Sequence, residues 1–511
     1  MSSVSSNTPA RPRRLRRLLL SVVALAVLVP ALLGGVFAWV YTGAAVSTVG
    51  ATDFRNQLAI PPLQEGVLGP DGRRVFELDM RSGRKEFRPG KITETWGFNG
   101  DYLGPTLRAR RGERVEVRVR NALPEASTVH WHGMHLPAAM DGGPHQMVDP
   151  GRTWTPQWTV DQPAATLWYH PHPHGKTEQH VRRGLAGMFL LDDENSASLS
   201  LPSNYGVDDL PVIVQDVKFD GSGFDNSHKI FRNAGFLGEQ ILVNGTLAPY
   251  REVGDDLVRL RLLNASTARI YNFAFEDNRT FALIGTDGGL VQRPITLDRV
   301  QLSPGERAEI VVRMRAGERT VLRSNTLDAG FDFWNQRFSG GDDRFDILEL
   351  RAAATLRSAP ELPATLAEPA VPDGSDAVRE RRFDLNLAGI NNVPMAMDRI
   401  DLTVTRGSTE IWVVRNADGM PHNFHVHDVQ FRVLSVNDAP PPAPLSGAKD
   451  TVFVAPNSTV RLALRFDGPA DPDTPYMYHC HLLWHEDQGM MGQFVVVEPG
   501  QSAGTPPSHG H

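Results

Sequence analysis

The chain has almost no cysteine: Cys480 is the only one in 511 residues, so no intrachain disulfide can brace the fold. Acidic residues are missing from the first 17 positions, which carry five arginines, and no charge of either sign occurs between Leu18 and Thr52. Excess positive charge is missing too. A net charge of −7 gives nucleic acid no reason to bind. Methionine is absent between Met314 and Met395, so that stretch has no soft thioether. What remains is 41% hydrophobic, enough for several packed cores. Residues 1–17 form a basic N-terminal region. The segment 18–41 is apolar and long enough for a transmembrane anchor, or for a signal with Thr42 to Ala45 as its cleavage region, although Pro30, Gly34 and Gly35 interrupt it. The arginines keep its start on the cytoplasmic side, and the pairs Arg13-Arg14 and Arg16-Arg17 point to twin-arginine export. The remainder of the chain then faces outside the cytoplasm, in the periplasm or at the cell surface, with a membrane as partner if the segment stays.

Cys480 lies in the string Tyr478-His479-Cys480-His481-Leu482-Leu483-Trp484-His485. In a β-strand, side chains alternate between faces, so His479 and His481 point one way and Cys480 the other. One tripeptide then serves two sites. His485 and Met490 follow five and ten residues after Cys480, which brings a thiolate, an imidazole and a thioether into one loop. One more histidine completes the His2Cys plus weak axial Met set of a blue copper site. Ten of the 17 histidines fall into four compact clusters. Each cluster contains a His-x-His pair: His130 with His132, His170 with His172, His425 with His427, His479 with His481. His422 is left over as the missing nitrogen ligand for Cys480, His485 and Met490. One such pair is commonly just solvated, but four pairs with a cysteine-centred loop point to metal.

Internal repeats give the organisation. Gly112 to Ala122, Gly254 to Ala265 and Gly407 to Ala417 share a phrase of alternating apolar and polar residues that ends in Asn-Ala, so each is a half-buried strand. A second phrase follows each: Asp149-Pro150-Gly151-Arg152, Ser303-Pro304-Gly305-Glu306, Ala455-Pro456-Asn457-Ser458. The period of about 150 residues suits three β-sandwich domains. His130 lies nine residues after Asn121 and His425 nine after Asn416, whereas the same count from Asn264 reaches Phe273, with Phe275 beyond it. The second domain is therefore a spacer without metal. Pro171 stands where the third domain has Cys480, so the first domain cannot build a thiolate site. The eight paired imidazoles should meet between domains one and three.

With these motifs the chain resembles the three-domain multicopper oxidases, particularly the bacterial cuprous oxidases and spore-coat-type laccases, over about residues 55 to 498. The resemblance implies an all-β fold of three consecutive cupredoxin-like Greek-key sandwich or barrel domains behind an N-terminal hydrophobic helix. Their extents are 55–195, 205–352 and 383–498, with a linker at 353–382 rich in Ala, Pro and Glu, and a tail at 499–511. It implies four coppers: type 1 on His422, Cys480, His485 and Met490; type 2 on His130 and His425; and a type 3 pair on His132, His170, His172, His427, His479 and His481. Met491 adjoins Met490, and spacing favours the first.

The same resemblance implies that a small reductant gives up single electrons near His422 and that Cys480 relays them to His479 and His481. Dioxygen is then reduced to water with protons from Asp141 and Glu486. Asp418 and Met420 match positions that bind substrate copper(I), a soft ion suited to a carboxylate and a thioether. The absent methionine-rich insertion favours phenols, with copper(I) oxidation close behind. Two other readings are a copper-free structural protein on the same fold, as in related cell-division proteins, and a two-site nitrite reductase or electron carrier. The complete ligand set argues against both. His135, His145, His174, His180, His228, His509 and His511 fit no template and are read as surface or structural residues.

Overall fold

The structure is a computed structural model that describes residues 13–225, 227 and 234–507. Residues 1–12 of the basic region, His228, and His509 and His511 of the tail lie outside the described residues. The chain divides at Val46 into two units. The first is a single helix, Arg13–Ala44, of 32 residues, about 48 Å at the standard rise. Its stretch Arg16–Ala44 is long and apolar enough to cross a membrane. Pro30, Gly34 and Gly35, expected to interrupt it, lie inside the helix; leucines and alanines on both sides outweigh these local breakers.

The second unit contains three successive pairs of sheets. Strands within 63–192 form a five- and a six-stranded sheet, those within 209–357 a seven-stranded sheet and five strands of a six-stranded one, and those within 379–497 two five-stranded sheets. The three repeated phrases become strands Arg114–Ala122, Leu257–Asn264 and Thr409–Asn416. Each runs parallel to the first long strand of its own domain: Arg73–Arg88, Asp209–Val217 and Arg379–Asn386. Asn56–Gln57 adds parallel to Pro249–Tyr250 in the second domain. The proposed linker is bracketed by strands Phe345–Arg357 and Arg379–Asn386.

The asparagine that closes each phrase explains why the phrase repeats. The Asn121 side chain donates to the Glu125 and Val148 carbonyls, Asn264 to those of Arg269 and Leu302, and Asn416 to those of Met420 and Val454. Each Oδ1 also accepts the N–H two residues on, from Leu123, Ser266 and Asp418. A buried amide used this fully fixes the loop that follows, and in domains one and three that loop delivers the first histidine pair.

The middle phrase departs from the half-buried expectation. Leu257–Asn264 is buried at every position because its polar side chains are paired within its own domain and reach domain one: Arg261 donates to Asp209 and Glu309 and, across the joint, to Thr166, and Arg259 pairs with Glu309. An apolar cluster of Leu103, Trp168, Met188, Ile213 and Leu263 continues the same joint. The third domain's core gathers Phe383, Trp412, Phe424, Tyr478 and Phe494 around Cys480.

Candidate metal centre

The histidine pairs sit at strand ends. His130–His132 is a three-residue strand paired with Ala165–His170, and His422–Val426 pairs with the end of Asp471–His479. His172, His427, Cys480 and His481 lie just beyond their strands. The strand expected to carry His479, Cys480 and His481 thus stops at His479, since the chain turns there into the short helix Leu483–Asp487. The division of labour survives: His479 and His481 join one group of side chains, Cys480 another.

All eight paired histidines are buried, none more than 1% exposed, and six hydrogen-bond one ring nitrogen to protein oxygen. Backbone carbonyls can only accept, so the nitrogens facing them carry hydrogen. His130 donates from Nδ1 to Asp141 O, His170 to Pro171 O, His425 to Asp450 O and His479 to Cys480 O. His427 Nδ1 donates to the Asp141 carboxylate at 2.7 Å. His172 Nδ1 and His479 Nδ1 lie 3.4 and 3.2 Å from the Glu486 carboxylate. His132 is turned the other way, with Nε2 donating to Asp450 Oδ1 at 3.0 Å. His481 is held instead through its backbone N–H, which donates to Asn423.

On the six anchored rings the opposite nitrogens are therefore bare lone pairs, and they face one another and the Nε2 atoms of His172 and His481. Nε2 of His479 lies 3.1 Å from Nε2 of His172 and 3.2 Å from Nε2 of His427. Nε2 of His170 lies 3.3 Å from Nδ1 of His132 and 3.4 Å from Nε2 of His481. Nε2 of His130 and of His425 have no hydrogen-bond partner. Burial drives the imidazoles of His132, His170, His425, His427 and His481 well below the ordinary range, and that of His172 to about 3, so these rings stay neutral. Neutral acceptors converging without a donor repel unless a cation lies between them. The donor set fits copper, in two groups of three and one of two.

The second site lies wholly in the third domain. Cys480 Sγ is 3.6 Å from His485 Nδ1 and 3.8 Å from His422 Nδ1, and these two nitrogens are 3.1 Å apart. His422 is fixed by Nε2, which donates to Asp418 Oδ1 at 3.1 Å. Met490 is buried alongside, and its carbonyl accepts the Cys480 N–H. Met491 pairs with His479 across the sheet instead. Burial pushes the Cys480 thiol up to about 12, so a bound cation would displace its proton. Asp418 is a quarter exposed and Met420 is buried.

Asp141 and Glu486 both lie at the eight-histidine group, Asp141 beside His130 and His427, Glu486 beside His172 and His479. Among the described residues, Asp141 Oδ1 and both Glu486 oxygens have no hydrogen-bond partner. Among the histidines left aside, His135 contacts Gln430 and His145 contacts Gln493, each partly buried. His180 is fully buried on Ser127 Oγ, so it is structural and not a surface residue. Sequence reasoning missed Asp450 and Asn423. The Asp450-Thr451 step ahead of an apolar run carried no ligand-type spacing that could have marked it.

Three family models described as multicopper oxidase match residues 80–196, 211–322 and 365–500. The multicopper oxidase mco of Staphylococcus haemolyticus is 34% identical over 449 residues, 87% of this chain and 93% of that protein. The cell division protein FtsP of Xenorhabdus nematophila is 36% identical over 453 residues, again 87% and 93%. Among solved structures, a laccase from Pediococcus acidilactici superposes with a TM-score of 0.79 at 32% identity, over 87% of this chain and 94% of that one. A laccase-like multi-copper oxidase from Ochrobactrum sp., described as active on lignin model compounds and lignosulfonate, gives 0.78 at 36% identity over 86% and 100%.

Proposed function

The chain belongs to the multicopper oxidase family, with three cupredoxin-like domains, and we propose that it is an active oxidase. It takes single electrons from a small reductant at the Cys480 site and reduces dioxygen at the eight-histidine site. Four one-electron oxidations and four protons convert one dioxygen to two waters. The observation that carries this reading is the convergence of ring nitrogens from eight buried imidazoles, two of which, His479 and His481, are each one peptide unit from Cys480. Copper, bound as one type 1 ion on His422, Cys480, His485 and Met490 and three more on the eight imidazoles, would supply the one-electron chemistry and the binding of dioxygen.

The chain's own residues do the rest. His130 and His425 form the two-imidazole group for type 2 copper. His132, His170 and His481, and His172, His427 and His479, form the two triads for type 3. Asp141 and Glu486 border the cluster with oxygens that no protein donor occupies among the described residues, and there they pass protons toward the site as dioxygen is reduced. Asp418 orients His422 through Oδ1 and, being partly exposed, offers Oδ2, which also accepts the Leu387 N–H, to a substrate hydroxyl. Burial of every ligand keeps bulk water away from the reducing centre.

Phenols are the favoured reductants. Phe333 and Trp334 stand exposed on the helix Phe333–Phe338, whose Asn335 donates to Gly419 O beside Asp418. Copper(I) is the second reading, carried by the Asp418 and Met420 pair. The FtsP relatives raise a third, a non-catalytic role in cell division, and the ligand set weighs against it. The long apolar N-terminal helix supports a location outside the cytoplasm, exported or anchored. Metal analysis of copper-loaded protein, with an absorption spectrum and oxygen uptake on a phenol and on copper(I), tests the proposal. Four coppers, a blue thiolate band and oxygen consumption are expected; one copper or none without oxygen uptake would leave a binding or structural role.

A further inference from the structure

Domain two reaches the eight-histidine group, and does so with a buried charge. Arg307 is fully buried and forms a two-pronged pair with Asp450 of domain three, NH1 to Oδ1 at 2.7 Å and NH2 to Oδ2 at 2.6 Å. Its Nε donates to Thr166 O of domain one, and its remaining hydrogens go to the Gly305 and Asp287 carbonyls. One side chain therefore ties all three domains together. Asp450 Oδ1, aimed by that fork, accepts from His132 Nε2 and from Thr451 Oγ1. The Asp450 carbonyl accepts from His425 Nδ1. Space for this arrangement comes from Gly305, at φ +87°, where a Cβ would lie 3.1 Å from His481 Nδ1 and 3.2 Å from His132 Cε1.

His132 is the one ring of the eight that turns Nδ1 inward, and Asp450 makes it do so. With Nε2–H committed to a carboxylate, Nδ1 is left bare toward His170. Were the carboxylate to swing away, His132 would be free to take the other tautomer and lose its inward lone pair.

We infer that Arg307 is a positioning residue for the eight-histidine copper site, acting through Asp450 to fix the tautomer of His132 and the orientation of His425. This rests on the reading of those imidazoles as copper ligands. The second domain is then a part of the metal site and not only a spacer.

The test compares copper-loaded wild type, Arg307→Ala, Arg307→Lys and Asp450→Asn by metal content, electron paramagnetic resonance and thermal unfolding. Arg307→Ala should keep the blue band of the Cys480 site and drop from four coppers to three or fewer, with affinity for the lost copper down about 10–100-fold. Arg307→Lys restores a buried cation without the fork, so unfolding temperature should recover while copper content does not. Asp450→Asn keeps the side-chain volume and serves if Arg307→Ala fails to fold. Its amide meets donors at both positions, so the same copper should be lost. Four coppers and unchanged spectra in Arg307→Ala or Asp450→Asn would overturn the inference, as would copper and stability recovering together in Arg307→Lys. A wild type with one copper or none would remove the underlying reading as well, and is recognised before any variant is compared.

Discussion

The second domain and its two neighbours carry the same strand, the same closing asparagine and the same count to the following residue pair, yet they put opposite chemistry there. Phe273 and Phe275 are fully buried, and so are His130, His132, His425 and His427. Burial at these positions is thus a property of the sandwich and not of the ligand. A phenyl ring placed there is satisfied by packing. An imidazole keeps one nitrogen without a partner, and four loops that each bring such nitrogens to a shared boundary make a cage. The ligand-free domain also differs in what it gives away: Ser303 Oγ and Pro304 O receive the Asn423 amide that steadies His481, and Arg307 holds Asp450.

The largest effect that would sharpen this contrast comes from the ligand-bearing side. Cys480→Ser should abolish the blue band and reduce oxygen uptake to background, while the eight-histidine copper is retained, as absorption and metal analysis would report. Next comes the matching position in the ligand-free domain. Phe273→Ala should leave copper content unchanged and cost about 3–5 kcal/mol of stability, read by denaturant unfolding; copper loss without destabilisation would break the comparison. Phe273→His should bind no additional copper, because no second lone pair waits opposite, and should destabilise by about 1–3 kcal/mol as a buried polar group without a partner.

Much of this was legible in the sequence because ligands repeat at fixed counts. His130 and His425 stood out as members of His-x-His pairs and fell into register nine residues after Asn121 and Asn416, and the counting works because those asparagines clamp the loops physically. Three things were not legible. Alternation on a strand was the right image for dividing His479 and His481 from Cys480, but the strand ends at His479, a boundary set by the following turn. The full burial of Leu257–Asn264 depends on Asp209, Glu309 and Thr166, which arrive from elsewhere in the fold and leave no local period. Arg307 and Asp450 lie 143 residues apart, and neither stands in a ligand-like spacing.

The joint between domains one and two gives the next effect, and it depends on pH. Burial opposes charge on Glu309, but Arg259 and Arg261 with the Thr166 hydroxyl outweigh it and hold the carboxyl at about 2, against an ordinary 4.5. A folded value below the unfolded one means that the carboxylate stabilises the fold above about pH 4.5. That contribution, about 3 kcal/mol for such a shift, is lost as pH falls from there toward about 2. Glu309→Gln should therefore be less stable than wild type near neutrality by about that amount, and the gap should narrow as unfolding is repeated at lower pH. A gap that stays constant with pH would assign the joint to the apolar cluster around Trp168 and Met188.

The smallest effect concerns the reductant, and it asks whether domain two also shapes the Cys480 side. Trp334 and Phe333 belong to the ligand-free domain, but Asn335 fastens their helix to Gly419, one residue from Asp418. An aromatic reductant stacked there would gain about 0.5–1.5 kcal/mol from one ring contact, and copper(I) would gain nothing. Trp334→Ala should then raise KM for phenols by about two- to tenfold, leave kcat and copper content alone, and leave copper(I) oxidation unchanged. Equal changes for both reductants would trace the effect to the Asp418 loop itself and confine the second domain's part to the Arg307 side.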